Sequence, residues 1–324
     1  MQQQNQQPQS QLPQNPHIPP NYEHPAIARA RNRGDYGILV LVLAIIIGAI
    51  LLIVFSASTV YDLTTRADTP LAVTTPIEEP SSAASELFTY VVIFIVGTLA
   101  IMLLIRIMRQ QFLGNCLHIE YSNYAWLRDW ANQVSAEFRM PRVEIFITQN
   151  PFINAFAIGF ASPYNIVLNS GAIRYLTEDE LRIVVVHEMA HVKYGHTKVS
   201  AFTSILVAIP VVGTIAGWLL DFFYRRAEYT CDSLAYHYTG NPELVKNALI
   251  KVHVGPDVTD SFNDVAQQWQ EFNTRTNFNS FSQTFSSHPF LVRRLMNINR
   301  LHALSQQPQS PPPIQAGSIP NAST

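Results

Sequence analysis

Residues 177–196 read TEDELRIVVVHEMAHVKYGH, and this stretch decides the fold of the 324-residue chain. Thr177 followed three residues later by Glu180 is the pattern of a capping box, and the aliphatic run Ile183, Val184, Val185 and Val186 suits a buried helix. His187 and His191 stand four apart, one turn of that helix, so their imidazoles share a face and can converge on one tetrahedral metal ion. Glu188, beside the first histidine, is placed to act as a general base. The pattern is HExxH, with the uncharged Met189 and Ala190 inside it. The plain alternative is a pair of surface histidines, against which the helical context argues.

Hydrophobic residues make up 48% of the chain and charged residues only 14%, which points to a membrane-associated protein. A formal net charge of -2, with no basic cluster, argues against a nucleic-acid partner. Cys116 and Cys231 are too few for a disulfide framework, which suits a reducing compartment. Cys231 reads as a small buried thiol in preference to a ligand.

Residues 1–36 form a Gln/Pro-rich tail whose first 28 residues hold too little aliphatic surface to offset chain entropy, so disorder is expected there and again at 305–324. The opening lacks the basic-then-apolar layout of a cleaved signal peptide. Gly37–Phe55 and Phe88–Ile105 are uncharged runs of 19 and 18 residues, each close to the ~20 needed to cross hydrocarbon as a helix. Between them, 56–87 carries Arg66 against Asp62, Asp68, Glu78, Glu79 and Glu86. Arg29, Arg31 and Arg33 precede the first run, and Arg106 and Arg109 follow the second. The positive-inside rule then puts the N-terminal tail and the domain at 106–304 in the cytoplasm, and 56–87 outside it.

After the second run, a helix is predicted over Ile119–Arg139 and stopped by Pro141. Strands follow at Val143–Thr148, Pro151–Phe160 and Asn165–Leu168, a small and mostly antiparallel sheet laid against the HExxH helix. The fold class is α+β, mainly helical.

Ala201–Leu220 is a third uncharged run, of 20 residues, that hydropathy alone would score as a span. A metal held by two histidines needs a further protein ligand, and the acidic residues after the run are Glu228 and Asp232. A single crossing would put them on the far side of a membrane about 30 Å thick from His191. Pro210 and Gly213 also interrupt the run, so 201–223 is read as a hairpin of two short antiparallel helices, packed on the domain or dipping into one leaflet. If Glu228 opens a helix to Tyr238, Asp232 lies one turn along the same face. Glu228 then serves as third ligand, and Asp232 accepts the ring N–H of one histidine ligand. Without HExxH upstream, the same pair would read as a solvated helix face. His196 stands one residue off the position that the metzincin spacing requires of a ligand.

HEMAH at 187–191, YGH at 194–196, RRAEYTCD at 225–232 and SSHPFLVRRL at 286–295, in this order and spacing, resemble the HtpX-like membrane zinc metalloproteases. Relatives of that family include the CAAX prenyl proteases. The resemblance runs from about residue 115 to 304 and includes the NAF of Asn154, Ala155 and Phe156. It implies a zincin-like metalloprotease domain with one zinc ion held by His187, His191 and Glu228, and with Glu188 as general base. It also implies that His288 and Arg294 lie near the site: the histidine as a donor to the oxyanion, the arginine paired with a carboxylate such as Asp232. Taken alone, His288 before Pro289 is only a helix-start dipeptide. The chain differs from HtpX in its tails and in having one interrupted apolar run after HExxH where two spans are expected.

The reading is a multi-pass cell-membrane protein whose cytoplasm-facing zinc endopeptidase takes extended polypeptides on the edge of the sheet, with Asn154, Ala155 and Phe156 as substrate-binding residues. The resemblance implies quality control, with misfolded or membrane proteins as substrates and the lipid bilayer as partner. A CAAX prenyl protease encloses its site with more spans than the two found here. A non-catalytic scaffold with a structural zinc would have four protein ligands, where this chain offers three and a base.

Overall fold

The computed structural model describes residues 22–31, 34–48, 59, 83–207, 212–274 and 289–307. Its helices are α1 (Pro25–Ala30), α2 (Gly34–Gly48), α3 (Ala83–Leu113), α4 (Ala125–Glu137), α5 (Ser170–Tyr175), α6 (Glu178–Lys193), α7 (His196–Val207), α8 (Val212–Thr239), α9 (Pro242–Val254), α10 (Asp264–Thr274) and α11 (Leu291–Ser305). The strands are β1 (Leu117–His118), β2 (Val143–Thr148), β3 (Ala155–Ile158) and β4 (Tyr164–Asn169).

The four strands form one sheet in the order β1-β2-β4-β3. Two of its three pairings are antiparallel, as expected, but the sheet is mixed. The outer pairs β1–β2 and β3–β4 are antiparallel, but the central pair β2–β4 is parallel, with Ile145 opposite Ile166. β3 runs to the edge of the sheet, and the short return through 159–163 brings β4 back between β3 and β2, pointing the same way as β2. Alternating apolar residues mark strands but carry no record of this spatial order. As the central strand, β4 is buried at all six positions.

α6 begins as its sequence predicts. Thr177 accepts from the Glu180 backbone N–H while the Glu180 carboxylate accepts from the Thr177 N–H, a complete capping box. Glu180 also pairs with Lys251 of α9 at 2.8 Å, tying the start of α6 to a second helix. Ile183, Val185, Val186 and Met189 point into a core shared with the sheet, α4, α8, α9 and α11.

The third apolar run is divided between α7 and α8, with 208–211 outside the described residues. Gly213 stands so close to the end of α7 that a Cβ there would collide with the Val207 carbonyl. Further along, Thr203 Oγ1 lies 2.8 Å from the Tyr224 hydroxyl. The partner in α8 advances as α7 is retraced, so the two helices are antiparallel. One detail differs from expectation: the second arm is not short. α8 is a single 28-residue helix that runs on through Glu228 and Asp232.

Among the described residues one helix, not the two expected, is long and apolar enough to cross a membrane. This is α3, whose segment Ile95–Leu113 is largely uncovered, with Leu113 buried at its end. α3 has 31 residues, about 46 Å at 1.5 Å per residue, and it continues past Arg106 and Arg109. Of the other expected span, α2 is described as far as Gly48, and residues 49–55 lie outside the described residues. Leu39, Val42 and Ile46 of α2 pack on Ala216, Leu220 and Phe223 of α8, while Val40, Leu41, Ile45 and Ile47 are exposed.

Disorder over 1–36 does not extend to residues 22–31 and 34–36. Ala26, Ile27 and Ala30 lie on one face of α1 and join the main core, and Asp35 of α2 is buried against Arg226 Nε at 2.9 Å and Thr230 Oγ1 at 2.6 Å. Three apolar residues cannot form a core of their own, but they can complete one that α8 supplies. The tails expected at 1–21 and 308–324, and most of the loop expected at 56–87, lie outside the described residues.

Candidate metal centre

α6 packs against α8, and the two histidines of one helix meet the glutamate of the other. His187 Nε2 and His191 Nε2 are 3.3 Å apart. Glu228 spans them, with Oε2 3.4 Å from His187 Nε2 and Oε1 3.7 Å from His191 Nε2. Donor atoms about 2.0–2.1 Å from a tetrahedral zinc lie about 3.3–3.4 Å from one another, so these three side chains are spaced as ligands of one such ion. The contact also shows that 201–220 does not carry Glu228 across a membrane from His191.

One turn further along α8, Asp232 accepts the Nδ1–H of His187 at 3.0 Å, leaving Nε2 to face the cluster. Arg294 of α11 grips Asp232 with two hydrogen bonds, Nε to Oδ2 at 2.7 Å and Nη2 to Oδ1 at 2.6 Å, and its Nη1 lies 3.0 Å from Glu228 Oε2. The structure therefore brings together His187, Glu188, His191, Glu228, Asp232 and Arg294. His288 lies outside the described residues.

Burial makes these charges matter. Glu228 and Asp232 outnumber Arg294, so the buried group carries an excess of negative charge that favours a cation. Burial alone would lower the pKa of His187, but hydrogen bonds to Asp232 and Glu228 outweigh it and hold the pKa near about 10. A proton thus sits where a metal ion would displace it. At His191 burial outweighs the more distant Glu228 carboxylate and pushes the pKa down to about 3. Burial, with Glu228 nearby, pushes Glu188 up to about 7, even though the Ala157 backbone N–H donates to its carboxylate.

That last contact fixes the relation of the sheet to the site. β3 is an edge strand, and its outward N–H groups belong to Ala155, held by Asn154 Oδ1 at 2.9 Å, and Ala157, held by Glu188. A cavity of about 410 Å³ opens beside them, lined on one side by Asn154, His187 and Glu188 and on the other by Val245, Leu249 and Val252. Phe156 is not among the residues that line it. The pleat turns its side chain to the other face of the sheet, where its ring lies 6.0 Å from that of Phe112 of α3.

His253 in the last turn of α9 also lines the cavity, and no motif or spacing around it points to such a place. Its Nδ1 donates to the Leu249 carbonyl at 2.8 Å, leaving Nε2 to accept from Arg294 Nη1 at 3.4 Å. His187, His191 and Cys231 also lie close enough together to share an ion. Glu228 and Cys231 approach the two histidines from different sides. Glu228 faces both Nε2 atoms, whereas Cys231 approaches the far side of His191, with Sγ 3.6 Å from His196 Nδ1. Burial and the nearby Glu228, Glu188 and Asp232 raise the Cys231 pKa well above its usual value, which keeps it a thiol.

Residues 122–302 match Peptidase family M48. The chain is 31% identical over 131 residues to the plastoglobule-localized metallopeptidase 48 of Arabidopsis thaliana, covering 37% of this chain and 38% of that one. It is 24% identical over 210 residues to a Protease HtpX homolog of Streptococcus pyogenes, covering 51% and 69% of the two chains. It is 27% identical over 203 residues to one from Moorella thermoacetica, covering 50% and 67%. Among solved structures, Ste24p of S. mikatae is similar at a TM-score of 0.40 and 15% identity, over 68% of this chain and 59% of that one. The chain therefore belongs to peptidase family M48 and is an HtpX-like metallopeptidase.

Proposed function

We propose that this protein is a zinc-dependent endopeptidase held at the cell membrane, with its catalytic domain in the cytoplasm, that cleaves misfolded or membrane-proximal polypeptides. The observation that carries the reading is the Glu188 carboxylate, set beside the His187–His191–Glu228 cluster and bonded to the open edge of β3. Two imidazole nitrogens and a carboxylate oxygen make a mixed donor set of the kind that the borderline-soft zinc ion takes at open sites. A zinc ion held there supplies Lewis acidity towards water and the peptide carbonyl.

The remaining steps belong to the chain's own residues. Glu188 takes the proton of the attacking water and returns it to the leaving amine, for which a carboxyl that titrates near neutrality is suited. Asp232 and Arg294 hold His187 in the tautomer that presents Nε2. An extended substrate pairs along the edge of β3 through the outward carbonyls of Ala155 and Ala157, whose N–H groups Asn154 and Glu188 hold, so main-chain contacts give affinity with little sequence preference. The apolar wall of Val245, Leu249 and Val252 suits one apolar side chain of that substrate.

Membrane attachment is supported by α3, where Val92, Ile93, Ile95, Val96, Leu99, Leu103 and Leu104 are exposed among the described residues, and by the exposed Phe202, Val207, Ile215 and Trp218 of the α7–α8 hairpin. The end of α3 meets the sheet directly: Arg106 lies over the Phe160 ring and Arg109 donates to the Pro163 carbonyl at 3.2 Å. Substrates would then be met close to the bilayer surface. Two tests apply. Glu188→Gln is expected to keep the metal and to lower cleavage of casein by ~10²–10⁴-fold, and retained cleavage would reject Glu188 as the base. Reporters placed after Ser81 and at Thr324 are expected on opposite sides of the membrane; a shared side would overturn the topology.

A further inference from the structure

We propose that His196 is a positioning residue for the metal centre: its Nδ1 accepts the Nδ1–H of His191 and so fixes the tautomer that turns His191 Nε2 toward the ion. The inference rests on the metal site proposed above and goes beyond it, because the chain's spacing removes His196 only as a ligand and gives it no other task.

The turn after α6 makes the contact possible. Gly195 adopts φ +74°, a conformation that favours glycine, and it brings His196 back beneath the end of the helix it has just left. His196 is 4% exposed, and its ring stands at 75° to that of His191 with centroids 5.2 Å apart. The two Nδ1 atoms are 3.3 Å apart. His191 Nε2 faces His187 and Glu228, so if it ligates, its proton must reside on Nδ1, and His196 Nδ1 must then be the acceptor. The reverse assignment would place a proton on the nitrogen that faces the ion.

A second donor points at the same atom. Cys231, held as a thiol, lies with Sγ 3.6 Å from His196 Nδ1. The two metal histidines are thus supported differently, His187 by the carboxylate of Asp232 and His191 by a neutral imidazole. A carboxylate in both places would bury a third negative charge beside Glu228 and Asp232. An imidazole gives the same direction to the proton without that charge. The bland reading is a core histidine packed edge-on against Phe223, with rings 5.6 Å apart, and packing alone would not depend on an acceptor at Nδ1.

The test compares His196→Asn with His196→Leu in the full chain carrying Glu188→Gln, so that self-cleavage does not intervene. Asn offers a carbonyl oxygen near the Nδ1 position, and Leu offers similar bulk with no acceptor. Zn²⁺ affinity is read by chelator competition at neutral pH, and thermal unfolding of the metal-free proteins checks the fold. Leu is expected to weaken Zn²⁺ binding by ~10–100-fold and Asn to stay within about threefold of the parent. Equal affinity for Leu and parent, or an Asn variant as weak as Leu, overturns the proposal. Should Leu fail to fold, NMR of isotope-labelled histidines in the Zn²⁺-loaded parent decides: protonated Nδ1 on His191 facing bare Nδ1 on His196 is expected, and the opposite pair of tautomers overturns it. A parent that binds no Zn²⁺ overturns both readings. A parent that binds it no better than the Leu variant overturns this one alone.

Discussion

The aliphatic stretches of α6 and α3 are alike in composition and meet opposite surroundings. In α6, Val185 and Val186 are fully buried between the sheet and neighbouring helices. In α3, Leu99 is 61% exposed, and most of Ile95–Leu113 lies uncovered ahead of the buried Leu113. Hydropathy records the free energy of leaving water, not the medium entered. A core helix gains it from neighbours that the chain supplies, and most of the apolar face of α3 meets no such neighbour among the described residues. The α7–α8 hairpin stands between these cases, covered by α2 on one face and exposed at Phe202 and Ile215 on another. What separates α6 further is that it buries charge beside its valines, and that charge has to be matched by α8 and α11.

The sharpest way to break this contrast is to unbalance the buried charges. Arg294→Leu leaves Asp232 and Glu228 without their shared cation and is expected to cost ~3–5 kcal/mol in chemical unfolding of the metal-free protein. A loss under 1 kcal/mol would mean that the arginine does not neutralise the pair.

Truncating apolar side chains in the two helices sharpens the comparison directly. Leu181→Ala in α6 removes a buried side chain and is expected to cost ~2–5 kcal/mol, whereas Leu99→Ala in α3 is expected to stay within ~0.5 kcal/mol of the parent in the same detergent. Similar costs at the two positions would show that α3 packs against protein.

A smaller effect concerns pH. The Glu188 pKa in the folded protein is raised from 4.5 to about 7, so folding favours its protonated form. Its stabilising contribution is present in full below pH 4.5 and is lost as pH rises through about 7. Glu188→Gln should therefore stabilise the metal-free protein by ~1–3 kcal/mol above neutrality and by little under acid conditions, read as thermal unfolding against pH. A pH-independent difference would contradict the assigned burial.

Much of this was legible in local pattern. Thr177, Glu180, His187 and His191 act through spacings within one helix, and a spacing survives in sequence. The meeting of Glu228 with the two histidines was legible for a different reason, since a shared ion forbids a membrane between them, and Pro210 and Gly213 marked where the chain could turn back. Three things were not legible. The parallel pairing of β2 with β4 depends on where β3 lies in space. His253 reaches Arg294 from a helix that carries no motif. Ile27 and Asp35 look like tail residues until α8 is present to receive them.

The central claim is that His187, His191 and Glu228 hold one ion, and X-ray absorption at the metal edge of the purified protein tests it most directly. Two imidazole nitrogens and carboxylate oxygen predict a first shell made wholly of light atoms at about 2.0–2.2 Å, and Glu228→Ala should lose the metal. A sulfur scatterer at about 2.3 Å, with metal retained in Glu228→Ala, would assign the third place to Cys231 and contradict the account.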